Sequence, residues 1–320
     1  MSQLLEERNY YKPFNYPWAF EYYKQQQHMH WLPSEVPLAD DLKDYRERLS
    51  PENRNLINSI FRFFTQADVD VCCGYAKHYL PTFKQPEVRM MLSAFASMEA
   101  VHQEAYSLLL ETLGFAEDEY QKFAEHKAML DKHEYLSNFG MDTKLDIAKT
   151  MAIYSGFTEG VQLFSSFAIL LNFPRHNLMK GMGQIITWSV RDESLHVEGM
   201  SHLFRAFVKE NPEVWNDDLK YEIYCAAERT VELEDAFIDL CFHKATVPDL
   251  TAEEVKRYIR YIADRRLLGL GMKKIFHSET NPLPWLDYML NGVEHTNFFE
   301  NRATEYARSS TTGNWQDIFK

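Results

Sequence analysis

Apolar residues recur along most of this chain at intervals of three and four, the spacing that gathers them on one face of a helix. The sharpest helix start is Ser50-Pro51-Glu52, with a capping hydroxyl, proline at the first helical position and an acid in the first turn. A helix is predicted from there to about Tyr79, with the inward stripe Ile57, Phe61, Phe64, Asp68, Val71 and Tyr75. A second runs from near Pro86 to the natural cap Gly114, with Leu92, Phe95, Glu99, His102, Tyr106, Leu109 and Leu110 inward. A shorter, more charged helix is expected over 116–134, then a break at Asn138-Phe139-Gly140. Helix resumes over 144–171, ending before Pro174, with the stripe Ala152, Ser155, Glu159, Leu163 and Phe167. The next, over 176–209, carries Ile186, Ser189, Glu193, His196, Met200 and Leu203. Amphipathic helices over 216–244 and 251–276 follow, and no β-rich stretch stands out. The expected fold class is all-α: a bundle over 50–308, an aromatic- and proline-rich arm over 1–49 packed on it, and a flexible tail over 309–320 ending in the apolar hook Trp315, Ile318 and Phe319.

The polar residues on those stripes change the picture. Asp68, Glu99, His102, Glu159, Glu193 and His196 each stand where an apolar residue is expected, and they form a pattern: two Glu-x-x-His pairs, each preceded by one isolated acid, 31 residues before Glu99 and 34 before Glu193. Two helices giving one carboxylate each, and two giving a Glu-x-x-His, is the ligand plan of ferritin-like di-iron and di-manganese bundles. Four carboxylates facing one core would repel each other and lose their hydration, so positive charge must lie between them. Two divalent ions per chain would balance them, and a donor set rich in oxygen with some imidazole favours iron or manganese over zinc. Asp70, Glu104 and Glu198 fall off the stripes, and His28, His30, His126, His133 and His243 lie outside the pattern. Tyr106, four residues after His102, is either a redox-capable phenol beside the metals or a core tyrosine satisfied by a hydrogen bond.

Composition sets limits on partners. Of 320 residues, 45% are hydrophobic and 25% charged, a globular balance. The formal net charge of −13 argues against nucleic-acid binding, which rests on basic patches. Cys72, Cys73, Cys225 and Cys241 show neither disulfide-framework nor zinc spacing, which fits a reducing cytoplasm. The start, MSQLLEERNYYKPF, has no cationic flank and apolar core, so no signal peptide is expected. FSSFAILLNF, the longest apolar stretch, is too short to span a bilayer.

The segments FFTQADVDV, SMEAVHQEAYSLLLETL, TEGVQLFSSFA and SVRDESLH, in this order, together with HWLPSEV and NFFENRATEY, strongly resemble the small, radical-generating subunit of class I ribonucleotide reductase over nearly the whole chain. The resemblance implies that Asp68, Glu99 and His102 hold one metal and Glu159, Glu193 and His196 the other, with di-iron the first expectation and di-manganese or a mixed pair the alternatives. It implies further that Tyr106 carries the radical, that Trp31 starts the transfer path, that Asp192 links Trp31 to His102, and that Tyr306 relays the radical to a large catalytic subunit docked on the tail. A homodimer is expected, and the reaction served is reduction of ribonucleotides to deoxyribonucleotides. Leu163 and Phe167 fit the apolar pocket such a tyrosine needs, whereas Ser189 stands where the family often has an aliphatic residue. The alternative is another ferritin-like di-metal oxidase.

Overall fold

The computed structural model describes residues 3–116, 127–135 and 140–290. Two compact units divide the chain, Met1–Leu283 and Pro284–Lys320. In the second, residues 284–290 are helical. Tyr306, the hook residues Trp315, Ile318 and Phe319, and the expected tail boundary lie outside the described residues.

The first unit is built from α1 (Pro17–His28), α2 (Ala39–Lys43), α3 (Pro51–Gly74), α4 (Leu80–Thr82), α5 (Pro86–Leu113), α6 (Lys127–Tyr135), α7 (Lys144–Thr150), α8 (Phe164–Arg175), α9 (Lys180–Glu210), α10 (Asp217–Lys244) and α11 (Ala252–Gly269). No strand occurs among the described residues. None of the described helices is long and apolar enough to cross a membrane. Helix α5 packs on α3, α9 and α1, and α9 packs on α8 and on the segment Met151–Glu159. All six inward residues of the α3 stripe, from Ile57 to Tyr75, are buried.

Several ends follow local chemistry. Ser50 accepts from the Asn53 N–H at the start of α3, Gly114 caps α5 at φ 93°, and Thr143 with Asp146 and Thr251 with Glu254 form capping boxes. Other ends depart from the sequence pattern. The arm contains the helix α1, whose two fully buried positions, Ala19 and Gln26, are seven residues apart on one face. A polar residue at the second of them hides the stripe. The expected helix over 144–171 is three pieces: α7, a widened π-helical stretch Met151–Glu159, and α8, which runs through Pro174 to Arg175. Helix α11 stops at Gly269 and not at 276, because Gly271 turns left-handed (φ 81°) and Asp264 takes the N–H groups of Ile275, Phe276 and Ser278.

Helix α9 begins at Lys180, four residues later than expected. Met179 is left-handed (φ 53°), and the cap comes from far away in sequence. The Asp41 carboxylate accepts from Gly181 N (2.8 Å) and Met182 N (2.7 Å), and Asp44 accepts from Met179 N (2.9 Å). A Cβ on Gly181 would stand 2.7 Å from the Pro37 carbonyl, so only glycine admits this approach. Asp41→Ala should orphan two buried N–H groups and lower unfolding free energy by about 1–3 kcal/mol, read by chemical denaturation. An unchanged midpoint would mean water replaces the carboxylate.

Candidate metal centre

Four helical segments deliver six side chains to one buried place. Asp68 comes from α3, Glu99 and His102 from α5, Glu159 from the end of the widened segment, and Glu193 and His196 from α9. All six are at most 1% exposed. Their ligand atoms form two groups, Asp68/Glu99/His102 and Glu99/Glu159/Glu193/His196, each gathered within 4.8 Å. Glu99 belongs to both. His196 Nδ1 lies 2.8 Å from Glu99 Oε1, and His102 Nδ1 lies 3.5 Å from Glu99 Oε2 and 3.3 Å from Glu193 Oε1. The resemblance implies one triad for each metal. Folded, Glu99 and Glu193 instead lie between the histidines.

Both imidazoles turn Nδ1 inward and bind protein through Nε2. His102 Nε2 lies 3.2 Å from Asp192 Oδ2, and His196 Nε2 lies 3.1 Å from Gln26 Oε1. Gln26 Nε2 donates to Asp192 Oδ1 (3.2 Å), and Trp31 Nε1 donates to Asp192 Oδ2 (2.8 Å). The two histidines are thus tied together by Gln26 and Asp192, which fixes which ring nitrogen faces the carboxylates. Sequence reasoning passed over Gln26; its one signal was a polar residue two turns beyond Ala19 on the same face. Asp70 is only part-buried, and Glu104 and Glu198 are exposed, so the acids off the stripes stay out of the cluster.

The electrostatics are those of a site short of positive charge. Burial, then the charge of Glu99, pushes Asp68 well above the usual carboxylate range. Burial, then the charges of Glu193 and Glu99, does the same to Glu159, and Glu193 is raised by burial and Glu99. Burial opposes ionisation of Glu99 too, but hydrogen bonds from both histidines outweigh it and lower its pKa. Burial disfavours a charged His102, yet contacts with Asp192, Glu193 and Glu99 raise it well above the ordinary value. Buried carboxylate oxygens without a hydrogen-bond partner converge here: Asp68 Oδ2, Glu159 Oε1 and Glu193 Oε2. Unpaired buried acceptors of this kind are costly, and a carboxylate and imidazole donor set fits hard or borderline divalent ions.

Tyr106 lies beside the cluster. It is buried, with ring centroids 5.5 Å from Phe61, 5.3 Å from Phe64 and 6.3 Å from His102. Its hydroxyl donates to Ser189 Oγ (2.9 Å), which donates in turn to the Ile185 carbonyl (3.0 Å). Ser189 is itself fully buried, and Phe167 packs on Phe64 at 5.2 Å. Burial, then the charge of Asp68, raises the Tyr106 pKa well above that of a free phenol. On the opposite side Tyr75 Oη donates to Glu159 Oε2 (2.9 Å).

Comparison with known proteins agrees with this geometry. The family model for the ribonucleotide reductase small chain matches residues 8–282. The probable ribonucleoside-diphosphate reductase small subunit of Invertebrate iridescent virus 6 is 47% identical over 99% of this chain and 98% of its own. Among solved structures, the ribonucleotide reductase R2 subunit from Clostridium botulinum is similar in fold (TM-score 0.80, 21% identity, 86% of this chain and 89% of that one). A ribonucleotide reductase homodimer from Saccharomyces cerevisiae is similar too (TM-score 0.73, 17% identity, 92% of each chain). The ferritin-like helical bundle, the family match and the identity over nearly full length lead to one conclusion: this chain belongs to the ribonucleotide reductase small-chain family.

Proposed function

We propose that the six clustered residues hold two metal ions, that Tyr106 carries a radical formed beside them, and that the radical leaves through Trp31 and Tyr306 to a large catalytic subunit that reduces ribonucleotides. The observation that carries this reading is the pair of wholly buried ligand groups joined at Glu99. Asp68, Glu99 and His102 would hold one ion and Glu159, Glu193 and His196 the other, with Glu99 and Glu193 standing between the two positions. Di-iron is the working assignment, and di-manganese or a mixed pair would suit the same donors. When bound, the metal pair supplies the oxidising power, drawn from dioxygen, that a phenol requires.

The chain's own residues then do three things. Phe61, Phe64 and Phe167 exclude water around Tyr106, and Ser189 accepts from its hydroxyl and fixes its direction. Asp192 accepts from the Trp31 indole and contacts His102, which gives an electron a bonded route between the site and the arm. Residues 301–320 include Tyr306, Trp315, Ile318 and Phe319, side chains suited to relay and to docking on the large subunit. Assembly of this chain as a homodimer is supported by its likeness to the Saccharomyces cerevisiae homodimer. The free state of all four cysteines accords with a cytoplasmic protein.

Anaerobic titration with Fe²⁺ or Mn²⁺ should load roughly two ions per chain. Because Asp68, Glu159, Glu193 and His102 all hold protons further up the pH scale than free side chains do, loading near neutrality should release protons, and affinity should rise with pH. Fewer than about one ion per chain, or loading without acidification, counts against the site. Oxygen added to the loaded protein should give a tyrosyl signal in electron paramagnetic resonance that Tyr106→Phe abolishes; a signal that survives identifies another residue. Removal of residues 309–320 should abolish nucleotide reduction with the large subunit while leaving the tyrosyl signal intact, and retained activity would refute the docking role.

A further inference from the structure

Of the six clustered residues, only Glu159 stands on backbone that is not regular α-helix. Asp68, Glu99, His102, Glu193 and His196 sit inside α3, α5 and α9. Glu159 ends the widened stretch Met151–Glu159, a turn follows at 162–163, and α8 begins at Phe164. The Gln162 N–H is shared between the carbonyls of Phe157 (3.1 Å) and Thr158 (3.3 Å), one wide bond and one ordinary one. A break of this kind leaves carbonyls to be satisfied from outside the helix.

Two cations do so. Arg266 Nε on α11 donates to the Gly160 carbonyl (2.9 Å), and Lys132 Nζ on α6 donates to the Gln162 carbonyl (2.7 Å). Lys132 is fully buried between the rings of Phe63 (4.3 Å) and Phe237 (4.2 Å), and Glu234 on α10 neutralises it at 2.5 Å. Glu234 also accepts from the Ser165 hydroxyl at the start of α8, so the turn and the helix after it are tied to one ion pair. Gly160 has no Cβ to block the guanidinium: one built there would meet Arg266 Nε at 3.0 Å and Cδ at 3.2 Å. The Glu159 carboxylate accepts from Tyr75 at Oε2 and is stabilised by the Ser155 hydroxyl of the same widened stretch, while Oε1 has no partner. Its aim therefore depends on the backbone behind it.

We propose that Lys132 and Arg266 are positioning residues for Glu159, fixing the break in its helix by holding the carbonyls of Gly160 and Gln162. The inference rests on the two-metal reading above and adds that these cations set the affinity of one of the two metal positions, the one that uses Glu159. A buried ion pair is weak evidence for stability alone, since well-packed apolar residues often replace it without loss. This one spends its donor on a carbonyl three residues from a ligand.

The test is Mn²⁺ titration of the full chain under anaerobic conditions, comparing wild type with Lys132→Met/Glu234→Gln, which removes the donor without stranding a buried charge. Wild type should bind two ions; the variant should keep one at wild-type affinity and bind the other at least tenfold more weakly. Two unchanged affinities overturn the proposal, as does equal weakening of both, the outcome expected of a general loss of structure. If the double variant does not fold, Arg266→Met at a part-buried position must show the same one-sided weakening, and a two-sided or null result overturns the proposal. Wild type binding fewer than two ions removes the two-metal reading itself, and the positioning role with it.

Discussion

Four carboxylates brought together away from water are the constraint around which the rest of the molecule is arranged. Each would cost several kcal/mol to bury alone, and mutual repulsion adds to that. The protein answers in three ways visible in its electrostatics. Glu99 is kept ionised by two imidazoles, Asp68, Glu159 and Glu193 are pushed toward their protonated forms, and His102 is held charged by the acids around it. The interior is therefore poised for cations to replace protons, with little change needed in the side chains that would receive them.

Rigidity around that centre comes from residues that never touch it. Asp192 and Gln26 fix the two histidines through their outer nitrogens, and they do so from different parts of the chain. Gln26 belongs to α1, so the arm is part of the site's scaffold. Arg8 and the N–H groups of Asn15 and Tyr16 converge on buried Glu87, and Leu4 N and the Tyr16 hydroxyl reach Glu210, which ties the arm to α5 and α9. A loose arm would free Gln26, and with it the orientation of His196.

The sides of the cluster are unlike. Toward Tyr106 lies an apolar wall of Phe61, Phe64 and Phe167, with a single serine accepting the phenol's hydrogen bond. Toward Glu159 lie Tyr75 hydrogen-bonded to the carboxylate, a helix that widens and breaks, and two cations behind the break. One side encloses a buried phenol in aromatic rings and gives its hydroxyl a neutral partner. The other gives a carboxylate whose position is set by backbone geometry more than by its own hydrogen bonds.

The chain's periodicity was enough to find α3, α5 and α9, because each carries a one-sided apolar stripe and together they hold five of the six unusual polar residues, and capping residues such as Ser50 and Gly114 mark the ends locally. It could not find the break behind Glu159, since residues 151–173 are buried on every face and the stripe read through them continues across the break without a local stop signal. Nor could it find the start of α9, whose cap is supplied by Asp41 about 140 residues away. Spacing alone suggested a two-metal site, but sharing of Glu99 and the approach of Glu193 to His102 depend on how α5 crosses α9. The sequence by itself determined which residues enter the core, because burial is a property of local pattern. Only the tertiary structure decided which of them face each other and which are held by Gln26, Asp192, Lys132 and Arg266, because those contacts join segments that no local rule relates.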